Sequence, residues 1–162
     1  MSLGAHPSRS PVRALVAVGA NLGDAKTQVL QALEALGRLP QSHCVRVSSL
    51  YRTSPFQAMG PDFINAVAML ETRLTAPDLL HALQALEQAA GRKRPYPNAP
   101  RTLDLDVVTY GDAVVSSPRL TVPHPRWRER AFVVFPLNDV APERVDEAML
   151  AAVAGQFIER LE

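Results

Sequence analysis

Cysteine is almost missing from this chain, and Cys44, the single one, can form no internal disulfide and no cysteine cluster for zinc. A reducing, cytoplasmic setting is the expectation. An excess of either charge is missing too: 17 basic residues meet 16 acidic ones for a net +1. No global field draws such a chain onto nucleic acid or a membrane, so any anion recognition rests on local clusters. Long apolar runs are absent. The stretch at 14–18 is too short for a membrane span and runs into a Gly19-Ala-Asn-Leu-Gly23 turn instead of a cleavage site. That turn lacks the Lys and Ser/Thr of a P-loop, and the chain has no G-x-S-x-G, no H-E-x-x-H and no kinase catalytic-loop pattern. It also has no internal repeat and no low-complexity tract.

What is present suffices for one core. With 162 residues, 47% of them apolar, a single domain over 12–162 is expected. Residues 1–11, rich in Ser, Pro, Arg and Gly without periodicity, read as a disordered leader. Residues 13–19 read as a buried strand. Asp24 can cap the next helix, where Val29, Leu33 and Leu36 form one stripe and Gly37 and Pro40 stop it. Residues 44–53 alternate as a strand, with Val45, Val47, Ser49 and Tyr51 on one face. After a loop at 54–61, residues 63–74 form another strand, with Ile64, Ala66, Ala68 and Leu70 opposed to Phe63, Asn65, Val67 and Met69. Thr75 and Asp78 resemble a capping box that opens a helix carrying Leu79, Leu83 and Leu86 and finishing at Gly91.

Residues 92–100 hold three prolines and are irregular. Residues 101–110 are a strand, which Gly111-Asp112 turns back into a short partner at 113–115. The order β-α-β-β-α-β is the split βαβ signature of an α+β, ferredoxin-like sheet, here with an added hairpin strand and C-terminal helical elements. Beyond Pro118 the prolines at 123, 125, 136 and 142 leave only a helix at 146–154 legible.

The most informative segment is Arg101-Thr-Leu-Asp-Leu-Asp-Val-Val108. Strand alternation sends Leu103, Leu105 and Val107 to one side and Asp104 and Asp106 to the other, with backbones about 6–7 Å apart at ~3.3 Å per residue. Two such carboxylates can bracket hard cations. An arbitrary Asp-x-Asp is more often the solvated face of an edge strand, but here Arg92, Lys93, Arg94 and Arg101 lie upstream and His124, Arg126, Arg128 and Arg130 downstream. Carboxylates among cations suggest a metal and polyphosphate site, in which Mg²⁺ joins carboxylate to phosphate and Arg or Lys neutralises the remainder. Arg126 and Arg128 read as a solvated loop, and His43 and His81, in a loop and on a helix, as structural. Pro123 and Pro125 pin His124, which suits a donor held toward a phosphate, although a turn constraint alone explains them equally.

Four blocks together resemble a known family, the 6-hydroxymethyl-7,8-dihydropterin pyrophosphokinases of folate biosynthesis. They are Val18-Gly-Ala-Asn-Leu-Gly23; Ser48-Ser-Leu-Tyr-Arg-Thr53 with Phe63-Ile-Asn-Ala66; Pro100-Arg-Thr-Leu-Asp-Leu-Asp-Val107; and Leu120-Thr-Val-Pro-His124 leading to Arg130-Ala-Phe132. They run in order across 12–143. The resemblance implies a ferredoxin-like core and transfer of pyrophosphate from ATP to the pterin alcohol, giving the pterin diphosphate and AMP. It implies two Mg²⁺ on Asp104 and Asp106, with Arg92 and Arg101 also catalytic. Gln84, Glu87, Arg92, Arg101, His124 and Arg130 fall where the family binds ATP, and Thr53, Phe56, Asn65 and Phe132 where it binds pterin. A flat heteroaromatic ring suits aromatic faces, and Asn65 can offer its edge both donor and acceptor. Phe63 stays open between ring contact and core. The chain departs from the family at Asn98-Ala99, where many members carry tryptophan, in a loop one residue shorter.

The reaction so implied is in-line displacement at the β-phosphorus, driven by positioning and charge neutralisation, with the loop at 92–100 closing over ATP. The partners expected are ATP and a pterin, without nucleic acid or membrane, and the chain is expected to act as a monomer. Two other classes share the fold: an RNA-binding module, which needs exposed aromatics on a basic sheet face, and a small-ligand sensor without turnover.

Overall fold

The computed structural model describes residues 9–54, 60–91 and 103–161. Their elements are β1 (Val12–Ala20), α1 (Ala25–Leu36), β2 (Ser42–Val47), β3 (Tyr51–Thr53), β4 (Phe63–Thr72), α2 (Ala76–Ala89) and β5 (Asp104–Tyr110). There follow β6 (Val115–Ser116), β7 (Thr121–Val122), α3 (Ala131–Val140), α4 (Glu147–Ala152) and β8 (Ile158–Arg160). The architecture is mixed α/β, an antiparallel sheet with four helices among the described residues. The sheet runs β5-β1-β4-β3-β8, with β2 beside β3 on the same edge of β4. None of the described helices is long and apolar enough to cross a membrane.

Local chemistry sets the helix starts. The Asp24 carboxylate accepts from Thr27 N, Thr75 Oγ1 from Asp78 N, and Asp146 from Met149 N, each satisfying a donor that the first turn leaves without a partner. Alternation along the long strands then divides the apolar residues between two cores. Ile64, Ala66, Ala68 and Leu70 of β4 pack with Val29 and Leu33 of α1 and Leu79 and Leu83 of α2. Val67 and Met69, on the opposite face, pack with Val133, Val134 and Leu137 of α3. The sheet is thus a middle layer with α1 and α2 on one side and α3 on the other.

Several expectations need correction. The strand read over 44–53 is two, because Ser48 interrupts the ladder: its N donates to Val67 O at 2.9 Å while Val67 N donates to Ser48 Oγ at 2.9 Å. A register shift between Cys44 and Arg46 also breaks the alternation, so Val47 is exposed while Tyr51, expected on its face, is buried. His43, expected in a loop, belongs to β2, where its Nε2 lies 3.7 Å from the cross-strand Glu71.

The return strand expected at 113–115 does not pair with β5. Val115 and Ser116 pair instead with β7 in a separate two-stranded sheet. The outer edge of β5 is occupied by other donors and acceptors: His124 N donates to Val108 O at 2.8 Å, and Glu87 Oε2 accepts from Leu105 N at 2.8 Å. Gly111, at φ +56°, turns the chain away, and a Cβ there would meet Val12 Cγ1 at 2.9 Å.

Helix α3 and strand β8 were not legible. Pro136 lies inside α3 and removes the bond its amide would make to the preceding turn, and the run from Ala131 to Leu137 is apolar nearly all round, so no helical stripe stands out. Burial against the sheet holds the helix regardless. The expected helix at 146–154 is the shorter α4, and α2 ends at Ala89, before Gly91.

Leu83 is fully buried between α2 and the sheet, whereas Leu30 on α1 is 48% exposed. Leu83→Ala should lower the unfolding free energy by about 2–5 kcal/mol, and Leu30→Ala should change it by no more than ~0.5 kcal/mol, as read by urea denaturation.

Candidate active site

Helix α3 covers only part of its face of the sheet. Beyond its N-terminal end, the face residues of four neighbouring strands floor an open cleft of about 250 Å³. The pairing register fixes who meets whom: Asp104 of β5 stands opposite Gly19 of β1, Gly19 opposite Asn65 of β4, and Asn65 opposite Tyr51 of β3. Two residue pairs further along, Asp106 faces Ala17. All lie on the face away from α1 and α2, so alternation carries both carboxylates into the cleft while Leu103, Leu105 and Val107 are buried on the other side.

At one end of the cleft Asp104 is half-buried and Asp106 exposed. His124 is half-buried nearby, and its Nδ1 accepts from Arg126 N at 3.2 Å, which leaves the proton of the neutral ring on Nε2. Burial pushes this imidazole below its ordinary value; the Asp106 carboxylate pulls it back up, and the Arg130 and Arg126 guanidiniums push it down again. The neutral ring therefore dominates at pH 7.

At the other end, Asn65 and Thr53 are buried and joined, Asn65 Nδ2 donating to Thr53 Oγ1 at 2.8 Å. That bond turns Asn65 Oδ1 toward Gly19, where an added Cβ would approach it to 3.0 Å. Phe63 and Phe132 line the same end, and the Arg130 guanidinium lies over the Phe132 ring, 5.5 Å from its centroid. Phe63 is half-buried and lines the cleft. Arg128 stacks on Trp127 at 4.9 Å and, like Arg126, is exposed and outside the cleft.

Asp104, Asp106, Thr53, Asn65, Arg130 and Phe132 are therefore brought together, with His124 beside Asp106 and Arg130. Gln84 is not in this cleft; it lines a second one of about 720 Å³ between α2 and the β6–β7 hairpin. Glu87, one turn on, is buried, and its bond to Leu105 N grips the β5 backbone between the two aspartates. Phe56, Arg92 and Arg101 lie outside the described residues, as do Lys93, Arg94, Asn98-Ala99, the loop at 92–100 and residues 1–8 of the expected leader. Reading the sequence missed the floor made by Ala17 and Gly19, whose signal is two small residues at strand spacing opposite the carboxylates. It also missed the grip of Glu87 on β5, which no local pattern announces.

The donor set fits hard dications that arrive with a polyphosphate. Among the described residues no group of three or more His, Cys, Asp or Glu could hold a metal. Mg²⁺ commonly takes one or two carboxylates and completes its octahedron with phosphate oxygens and water.

The family described as 7,8-dihydro-6-hydroxymethylpterin-pyrophosphokinase (HPPK) matches residues 15–142. A 2-amino-4-hydroxy-6-hydroxymethyldihydropteridine pyrophosphokinase of Pseudomonas aeruginosa is 45% identical over 156 residues, covering 92% of this chain and 96% of that protein. Its namesake in Haemophilus influenzae is 39% identical, covering 83% and 84%. A triple mutant of the Plasmodium falciparum HPPK-DHPS, solved with STZ-DHP, shares the fold with a TM-score of 0.70 at 11% identity. That match covers 95% of this chain but 45% of the larger one, so the chain spans under half the length of that protein. The chain belongs to the 7,8-dihydro-6-hydroxymethylpterin-pyrophosphokinase family.

Proposed function

We propose that this chain transfers pyrophosphate from ATP to the hydroxymethyl group of 6-hydroxymethyl-7,8-dihydropterin, releasing AMP, and that the cleft beyond the N-terminal end of α3 is where it does so. The observation that carries this reading is one cleft with two carboxylates at one end and an aromatic and amide slot at the other. Nucleophile and phosphate are then neighbours by construction. Taking β2 and β3 as one interrupted strand, the sheet order supports a ferredoxin-like reading of the core, within a single domain over 12–162.

Phe63 and Phe132 offer faces to the pterin ring, with Phe56 as a further expected contact. Asn65 and Thr53 supply acceptor and donor to its edge. Asp104 and Asp106 would hold two Mg²⁺, which when bound supply Lewis-acid neutralisation of the phosphate oxygens and align the attacking and leaving groups. His124 directs Nε2–H, and Arg130 its guanidinium, at phosphate charge, with Arg92 and Arg101 as further cations. Gln84 and Glu87 are assigned to the nucleoside end: Gln84 lines the cleft between α2 and the β6–β7 hairpin, and Glu87, one turn on, bonds the β5 backbone. The pterin hydroxyl oxygen attacks the β-phosphorus, the bond from that phosphorus to the oxygen bridging toward the α-phosphorus breaks, AMP leaves with the bridging oxygen, and the hydroxyl proton is released to solvent. The chain is proposed to act as a monomer. The sheet face that an RNA-binding module would need bears Asp104 and Asp106, so nucleic acid is not an expected partner.

AMP release should require both Mg²⁺ and hydroxymethyl-dihydropterin; release independent of the pterin would overturn the assignment. Asp104→Asn and Asp106→Asn should each keep the thermal midpoint and lower turnover by about 10²–10³-fold, the scale of losing one preorganised charge contact. Near-normal turnover in either variant contradicts the metal role. Gly19→Ala, which crowds Asn65 Oδ1, should weaken pterin binding by roughly tenfold (~1.4 kcal/mol) and leave binding of an α,β-methylene ATP analogue unchanged, as measured by calorimetry.

A further inference from the structure

The family match ends at residue 142, and beyond it the chain turns back onto the walls of the cleft. Strand β8 pairs with β3, placing Arg160 opposite Tyr51 and Ile158 opposite Thr53. Leu161 N extends that contact by donating to Leu50 O at 2.8 Å. Just before β8, Gln156 seats the start of α3: its Oε1 accepts from Ala131 N at 2.9 Å and its Nε2 donates to Glu129 O at 2.8 Å.

The far end of α3 is held by a closed set of bonds. Arg160 Nη2 donates to Asp139 Oδ1 at 2.7 Å, and Arg160 Nε and Nη2 donate to the Tyr51 hydroxyl at 3.2 and 2.9 Å. Tyr51 passes its own proton to Asp139 Oδ2 at 2.8 Å, and that oxygen also accepts from Ser49 N at 3.1 Å. A guanidinium is suited to this position because its planar fork serves two acceptors at once with charge-assisted bonds. Burial pushes the Tyr51 phenol above its ordinary value and the bond to Asp139 pushes it further, so the hydroxyl remains a donor at neutral pH.

Geometry links this cluster to the substrate slot. Asp139 lies two helical turns from Phe132 on α3, hence on the same side of the helix. Tyr51 and Thr53 are alternate residues of β3, both buried on one face. One cluster therefore sets how far Phe132 stands from Thr53, the two walls between which a flat ring would lie. Without β8, β3 would be a three-residue strand paired with β4 alone.

We propose that Tyr51, Asp139 and Arg160 are positioning residues and that the C-terminal segment is a clasp setting the width of the pterin slot. This rests on the pterin reading above. The clasp acts on one half of the cleft, because β1 and β4 separate β3 from β5, which carries the carboxylates. A plain fold staple would alter stability and leave the affinities of the folded protein unchanged. A clasp changes pterin affinity and spares the nucleotide.

The test uses the full chain, with 6-hydroxymethyl-7,8-dihydropterin titrated with and without the Mg²⁺ complex of α,β-methylene ATP. Tyr51→Phe keeps the buried ring and removes the hub hydroxyl, and Arg160→Ala removes a side chain that is 58% exposed, so both should fold. Each should weaken pterin binding roughly tenfold, the scale of one charge-assisted bond, with analogue affinity unchanged. Steady-state kinetics should show KM for pterin rising more than kcat falls. Arg52→Gln breaks the exposed Arg52–Glu159 pair across the same two strands, 3.1 Å apart, and should leave pterin affinity as it was. Unchanged pterin affinity in both clasp variants overturns the proposal even if their thermal midpoints drop. So does an equal loss of analogue affinity, or an equal effect of Arg52→Gln. Failure of the unsubstituted protein to bind pterin would instead remove the functional reading beneath it.

Discussion

Two carboxylates two residues apart on one strand repel each other, and the fold must hold them side by side on one face. What holds them is the burial of Leu103, Leu105 and Val107 against α1 and α2. A slip of β5 by one residue would drive Asp104 and Asp106 into that core and expose the three apolar side chains, at several kcal/mol for each unpaired buried charge. The hydrophobic energy of one face thus fixes the electrostatics of the other. Glu87 adds a second constraint from behind, its carboxylate taking the Leu105 amide that β1 cannot reach.

The cleft exists because α3 leaves part of its face of the sheet uncovered and because the uncovered strands carry small residues where large ones would fill it. Ala17 and Gly19 lie between the carboxylates and the Asn65–Thr53 pair, and any larger side chain there would separate the two ends. The same sheet serves as packing surface under α3 and as binding floor beyond it, so the site inherits the rigidity of long antiparallel strands instead of that of a loop. His124 and Arg130 reach the carboxylate end from the irregular segment after β7, which His124 N anchors to the edge of β5.

What could be read from the sequence follows the range of the physics involved. The carboxylate pair, the caps at Asp24 and Thr75 and the two faces of β4 are set by neighbours within a few residues, and local pattern predicts each of them. Helix α3 escapes because its apolar residues cover nearly its whole circumference and Pro136 breaks its ladder, leaving tertiary burial as its only signal. The interruption at Ser48 escapes because a side-chain hydroxyl substitutes for a backbone acceptor, which alternation does not register. The path of the chain after Gly111 escapes because the edge of β5 is filled by Glu87 and His124, residues distant in sequence.

This division by range also separates the two halves of the cleft. The carboxylate end is specified within β5 by alternation over a handful of residues. The walls of the aromatic end are set by Tyr51, Asp139 and Arg160, drawn from β3, α3 and β8. On the proposed reading a substitution near Arg160 therefore alters the aromatic end while the carboxylate end keeps its geometry. Along the floor the two halves meet through β1 and β4, where Gly19 stands between Asp104 and Asn65 with no side chain, while Arg130, beside His124 and over the Phe132 ring, reaches both. On the proposed reading the sheet floor couples the two ends weakly, because its strands meet there at a residue without a side chain, and Arg130 is a group through which a change at one end reaches the other.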